Sequence, residues 1–282
     1  MSELAGKITL LTGASMGIGE AIAHELAAAG SHLILVSRSQ VGNNSDKLST
    51  LAKTLTDKHS SIKVIVKAAD IGDYSAVDKA VESAIAELGQ IDVLINNAGL
   101  ALGAPAAFQD LKINDIATMN NTNINGLMWV SHVVLNRSFM PRKAGTILNI
   151  TSVTGLEVPP FSGESVYHAN KACQEGFTNA LRNELSQTNI KVLALRPGCV
   201  ATNFHSLRVG HDKKMYDSFF EGFEPLLSES VANAAIYMLS QPPNTSIKAL
   251  DVVPTAQRSL NVFDRTWNYR NNDRSAINSD DS

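Results

Sequence analysis

A tyrosine and a lysine stand four positions apart in "ESVYHANKACQ", residues 164–174, inside a stretch whose apolar spacing predicts a helix over residues 166–185. Residues i and i+4 of a helix share a face, so the Tyr167 hydroxyl and the Lys171 ammonium can point into the same space. The pair is either a catalytic device or a helix face that carries the two by chance, and the rest of the chain must decide.

A second segment able to do chemistry is "TGASMGIG", in which Gly13, Gly17 and Gly19 follow an apolar run and open a helix. Glycines let the backbone turn tightly and approach a diphosphate, which then rests on free N–H groups at the helix N-terminus. Ser15 and Ile18 belong to the same turn and count among its expected contacts. The spacing is Gly-x-x-x-Gly-x-Gly rather than the common Gly-x-Gly-x-x-Gly dinucleotide fingerprint.

The next apolar run ends in "VSRS". Where NAD-binding proteins place an acid on the adenosine ribose, this chain has Ser37 and then Arg38. A guanidinium there can pair with a 2′-phosphate that a carboxylate would repel; alternatively Arg38 is a solvated strand cap. Further strand ends suit the same groove: Asp70 with Ile71 for an adenine amine, Asn97, Ala98 and Gly99 of "NNAG" beside adenosine, and Pro197, Gly198, Val200 and Thr202 of "RPGCVAT" around a nicotinamide. Each alone can be a turn or cap. In this order and spacing they make a strong joint signal for a dinucleotide.

The elements that must position these residues are seven short β-branched runs, beginning near Lys7, His32, Ile62, Ile91, Thr146, Ile190 and Ile247. They are almost continuously apolar, as strands buried on both faces are. Alanine-rich helical segments lie between them, over 17–29, 46–58, 74–88, 166–185 and 228–239. The alternation predicts a doubly wound, Rossmann-type α/β fold, a seven-stranded parallel sheet with helices on both faces, whose ligand sits at the carboxyl ends of the strands. Residues 1–269 are expected to form one domain and the polar residues 270–282 a disordered tail.

With "TGASMGIG", "NNAG", Ser152, "YHANK" and "PGCVAT" in this order from about Lys7 to Pro254, the sequence resembles the single-domain short-chain dehydrogenase/reductase family. Through "NNAGLALG", "NTNINGL" and "VPTAQ" it is most similar to the NADP-dependent 3-hydroxy acid (serine or allo-threonine) dehydrogenases. The resemblance implies hydride transfer between NADP and a secondary alcohol or ketone. It implies that Tyr167 exchanges a proton with the substrate oxygen, and that Lys171 lowers its pKa and holds the nicotinamide ribose. It implies that Ser152 donates a hydrogen bond to that oxygen and that Asn123 holds a water linking Lys171 to solvent. Relatives are usually dimers or tetramers through the helices bearing Asn123 and Tyr167, so a homo-oligomer is expected. Two departures stand out: the interval from Ser152 to Tyr167 is longer than usual, and Met16 replaces a small or basic residue in the glycine loop.

Composition narrows the remaining choices. At 282 residues with 44% hydrophobic content and net charge −3, the chain suits one globular domain and offers no basic surface for nucleic acid. No long apolar run suggests a membrane span or leader, which predicts a cytoplasmic protein. Two cysteines, Cys173 and Cys199, and seven scattered histidines make no metal-ligand spacing, so no metal is expected. Three functions compete: NADP-dependent oxidation or reduction of a small hydroxy compound, a 3-hydroxy acid among them; reduction of a bulkier cyclic or aromatic ketone; and cofactor sensing without chemistry, which has no need of Ser152, Tyr167 and Lys171 together. The substrate must be read by residues 203–227 and by the loop before Tyr167. Arg208, Lys213 and Lys214 are candidate carboxylate contacts there, although mobile, solvent-facing charges are the commoner outcome.

Overall fold

The computed structural model describes residues 3–38, 44–159, 162–208 and 212–271. Its seven parallel strands, β1 (Ile8–Thr12), β2 (His32–Ser37), β3 (Val64–Ala68), β4 (Val93–Asn96), β5 (Ala144–Ile150), β6 (Asn189–Pro197) and β7 (Ala249–Val252), lie in the order β3-β2-β1-β4-β5-β6-β7. The order reverses between β1 and β4, which opens a crevice at their carboxyl ends.

Successive strand residues point to opposite faces, and both faces are covered. Leu11, Ile95, Leu148 and Leu193 pack with α1 (Gly17–Ala28) and α10 (Ser228–Leu239) on one side. Leu10, Leu94, Ile147 and Val192 pack with α3 (Tyr74–Leu88), α5 (Leu127–Val134) and α7 (Ser165–Glu184) on the other. Burial on both sides explains why the strands lack a polar alternation. The helix α2 (Asn44–Lys58) joins β2 to β3, and α4 (Ile113–Asn120) and α6 (Met140–Arg142) flank α5. Wide π-type turns at Asn121–Gly126 and Leu135–Phe139 separate these three helices. Beyond β6 come two short helices, α8 (Asn203–Arg208) and α9 (Lys213–Phe219).

Two features depart from the sequence reading. An antiparallel pair, β8 (Gln257–Ser259) and β9 (Val262–Phe263), follows β7. Arg270, expected to begin the loose tail, pairs with Asp264 through a helical turn, and Asn271 donates to the Trp267 carbonyl at 2.8 Å. Residues 270 and 271 are thus tied to the domain; residues 272–282 lie outside the described residues.

Candidate active site

The glycine loop and "NNAG" are built against each other. Thr12 Oγ1, at the end of β1, accepts the Asn97 and Ala98 N–H groups, both at 3.1 Å. Asn97 Nδ2 donates back to the carbonyls of Thr12 at 3.0 Å and Gly13 at 3.1 Å. Gly13 has φ +67°, and a Cβ there would lie 2.8 Å from Ala98 Cα; one on Gly19 would meet the Gly13 carbonyl oxygen at 2.2 Å. These contacts, and not conformational freedom alone, demand glycine. The residue before α1, Met16, makes no side-chain cap, so the first-turn N–H groups receive no side-chain oxygen from it.

From this loop a cleft of about 650 Å³ runs across the carboxyl ends of the strands. All the cofactor contacts named from sequence line it: Gly13, Ser15, Gly17, Ile18, Gly19, Ser37, Arg38, Asp70, Ile71, Asn97, Ala98, Gly99, Tyr167, Lys171, Pro197, Gly198, Val200 and Thr202. Ser152 lines it as well. Asn123 does not. It is fully buried behind the wall, where its side chain accepts from Leu100 N at 2.9 Å and donates to Leu100 O at 2.8 Å and Asn170 Oδ1 at 3.0 Å. It sits in the first π-type turn, a local irregularity of the kind that accompanies functional sites.

At the far end, Ser152, Tyr167 and Lys171 come together, all three buried. Burial pushes the Tyr167 phenol up to about 12, against the opposing effects of Arg208 and of a hydrogen bond with Ser152; Glu164 adds to the rise. The sequence reading gave the role of facing cation to Lys171. The structure adds a second one, Arg208, whose guanidinium lies 5.1 Å from the Tyr167 ring centre. Lys171 is itself pushed down to about 7 by burial, with Glu175 opposing, and its Nζ is 5.7 Å from the same ring centre.

Lys171 Nζ donates to Ile150 O and to Gln174 Oε1, each at 3.0 Å, and Gln174 Nε2 donates to the Asn123 carbonyl at 2.6 Å. A glutamine side chain thus links Lys171 to the backbone of Asn123. Gln174 lies three residues after Lys171 on the same helical face, a spacing visible in the sequence but not used. Gln174→Leu should leave a buried ammonium and a buried carbonyl each one partner short, at about 1–3 kcal/mol apiece. Urea unfolding that moved by less than about 0.5 kcal/mol, within the range of an ordinary surface change, would show that this link carries no weight.

The substrate end holds residues that the sequence left undecided or missed. Arg208 is only 7% exposed, whereas Lys213 and Lys214 face solvent, and Lys213 pairs with Asp217. Glu164, also buried, puts Oε1 3.2 Å from Arg208 Nε. That contact lacks hydrogen-bond alignment, and the buried Nε finds no acceptor. Desolvation raises the Glu164 pKa, with Arg208 opposing. Phe204 packs 5.5 Å from Tyr167, and Leu207, Phe219, Leu260 and Phe263 complete an apolar rim. The unusual loop before Tyr167 is fastened to the β8/β9 turn: Glu157 accepts from Leu260 N at 2.7 Å, and Asn261 Nδ2 donates to Val158 O at 3.3 Å. Cys199 lines the cleft, but burial pushes its thiol up to about 12, which removes thiolate chemistry at neutral pH. Among the described residues no group of three or more His, Cys, Asp or Glu is placed to hold a metal.

The family model described as "short chain dehydrogenase" matches residues 7–211. The chain belongs to the short chain dehydrogenase family. Among its curated relatives, an NADP-dependent 3-hydroxy acid dehydrogenase of Schizosaccharomyces pombe is 37% identical over 93% of this chain and 97% of the relative. A sulfoacetaldehyde reductase of Chromohalobacter salexigens is 35% identical over 89% of this chain and 95% of the relative. Among solved structures, the closed form of a serine dehydrogenase complexed with NADP+ superposes with a TM-score of 0.80 at 31% identity, covering 89% of this chain and 96% of that one. This short chain dehydrogenase is an oxidoreductase acting on CH–OH groups. Its family match ends at residue 211, so α9, most of the aromatic rim and the β8/β9 pair lie outside the matched segment.

Proposed function

We propose that this enzyme interconverts a secondary alcohol and a ketone with NADP(H), and that its substrate is a small 3-hydroxy acid. One observation carries the reading: Ser152, Tyr167 and Lys171 meet at the end of a single cleft whose other end is the glycine loop and Arg38. The cleft fits a dinucleotide: Gly13, Gly17 and Gly19 line it without side chains, Gly13 and Gly19 hold the backbone where a Cβ would collide, and Gly17, at φ +60°, takes a conformation that favours glycine. NADP, when bound, supplies or takes the hydride. Ser37 and Arg38 favour its 2′-phosphate, in line with the NADP in the names of the relatives.

Tyr167 acts as the proton donor in reduction and the acceptor in oxidation, with Ser152 orienting the substrate oxygen. With its pKa near 12, the phenol is neutral at physiological pH and poised to donate. Lys171 holds the nicotinamide ribose and Asn123 the wide turn behind it. Arg208 recognises the substrate carboxylate; it is the buried guanidinium nearest the phenol. The finer expectations stand with this reading: a homodimer or homotetramer working in the cytoplasm. No helix among the described residues is long and apolar enough to cross a membrane.

The apolar rim of Phe204, Leu207, Phe219, Leu260 and Phe263 supports a second reading, a reductase of bulkier ketones. Following NADPH absorbance with 3-oxo acids against cyclic and aromatic ketones separates the two. A kcat/KM for 3-oxo acids above that for the ketones is the expected result; no NADPH oxidation with any carbonyl compound would sink the function itself.

A further inference from the structure

In the loop before Tyr167 two exposed apolar residues flank an inward carboxylate. Leu156 and Val158 face solvent, while Glu157 between them turns to the β8/β9 pair and accepts the Leu260 N–H at 2.7 Å. Exposed apolar side chains are common; a carboxylate turned inward between two of them is the informative observation. Its target is the tip of the hairpin, because Ser259 pairs with Val262 and leaves Leu260 and Asn261 as the turn.

A two-stranded hairpin is marginally stable by itself, and this one takes its position from three neighbours. At its base Gln257 Oε1 accepts the Cys199 N–H, in the turn after β6, at 3.0 Å. On its second strand Phe263 stacks on Phe223 at 5.0 Å and meets Phe219 edge-on at 5.8 Å, with the Arg265 guanidinium over Phe223 and Phe263. At the tip stand the Glu157 bond and a longer one from Asn261 Nδ2 to Val158 O, at 3.3 Å. Of these two the charge-assisted bond to Glu157 is the stronger. The tip carries Leu260, which is only 7% exposed and lines the same cleft as Ser152 and Tyr167. A wall excludes a larger group only so far as it resists being pushed aside, and a tied turn opens less readily than a free one.

We propose that Glu157 is a positioning residue for substrate size: by holding the hairpin tip it fixes Leu260 across the substrate end of the cleft, so that a 3-oxo acid with a short chain is taken and the same acid with an aromatic group is excluded. This rests on the reading of the substrate as a small 3-hydroxy acid. Glu157 acts through Leu260 and touches neither substrate nor cofactor in this role. Its bond ties the segment that matches the family model to one that lies beyond it.

The test uses a matched pair that differs by methyl against phenyl on the carbonyl, 3-oxobutanoate and 3-oxo-3-phenylpropanoate, reduced with NADPH. The wild type should prefer the first in kcat/KM by about tenfold or more. Glu157→Ala should reduce that ratio by about tenfold, chiefly through a lower KM for the phenyl compound, with kcat for 3-oxobutanoate within about threefold of wild type. Glu157→Gln keeps an oxygen to accept the Leu260 N–H and should hold the ratio within about threefold of wild type. Leu260→Ala keeps the bond but removes the wall, and should lower the ratio as Glu157→Ala does. A merely structural role of Glu157 would lower kcat for both acids and leave the ratio alone. Thermal melting with NADP+ bound reports folding; should Glu157→Ala not fold, Leu260→Ala decides. A ratio within about threefold of wild type in Glu157→Ala or Leu260→Ala, a ratio in Glu157→Gln as low as in Glu157→Ala, or a wild type that favours the phenyl compound would overturn the proposal. Turnover of ketones but of neither acid removes the acid reading alone; butanone against propiophenone, the same methyl-for-phenyl change, then carries the size test in the same variants. Absence of turnover with every compound sinks both.

Discussion

Tyr167→Phe is expected to lower kcat by about 10²–10⁴ while NADP(H) still binds, because the change removes one positioned proton donor and almost no volume. The ring has reasons to stay where it is: it is 6% exposed, packs 5.5 Å from the Phe204 ring and lies under the Arg208 guanidinium. Phenylalanine keeps all of these contacts. The loss should therefore fall on kcat, with a melting temperature close to wild type. The raised phenol pKa adds a pH signature in the wild type. Reduction needs the protonated phenol and should stay level through neutrality, falling only as pH climbs toward about 12; oxidation needs the phenolate and should rise over the same range. Turnover of Tyr167→Phe within threefold of wild type at saturating substrate would falsify the assignment.

The second large effect is on cofactor choice. Ser37 ends β2 with a small side chain, and Arg38 follows it, exposed at the lip of the cleft. A charge-assisted contact to the 2′-phosphate contributes about 1.5–3 kcal/mol, or roughly ten- to a hundredfold in affinity. NADPH should exceed NADH in kcat/KM by that margin, toward its lower end because Arg38 is solvated. Combining Ser37→Asp with Arg38→Gln should reverse the order, since the new carboxylate accepts the ribose hydroxyls and repels the phosphate. Met16 lines the same region without a charge, which leaves Arg38 as the main candidate for phosphate recognition among the described residues. Equal values for the two cofactors in the wild type would remove that role from Arg38.

The two predictions draw on different depths of the molecule. Arg38 is legible from its place after a strand, because a parallel sheet with short connections leaves a strand-end residue only one place to be. The same holds for the glycine loop, "NNAG" and "PGCVAT", each a turn at the end of an apolar run. What those residues do for one another was not legible. That Gly19 must be glycine because the Gly13 carbonyl stands in its way depends on how the loop turns, and that Asn97 holds the glycine loop with its side chain depends on the pairing of β1 with β4, which joins chain positions more than eighty residues apart.

The sequence alone determined the fold class, the placing of the ligand groove at the carboxyl ends of the strands, and the shared helix face of Tyr167 and Lys171. These follow from local periods: near-continuous apolar runs where both faces are buried, and a four-residue interval on a helix. Only the tertiary structure brought a second cation to Tyr167. Arg208 reads as a mobile surface charge, and nothing in its neighbours along the chain shows that α8 folds over the phenol and buries it against Glu164, forty-four positions earlier. The same is true of Gln174 between Lys171 and Asn123, and of the fastening of Glu157 to Leu260. Desolvation and ion pairing act through space, and the electrostatics of a buried site depend on what long-range packing brings within a few ångströms.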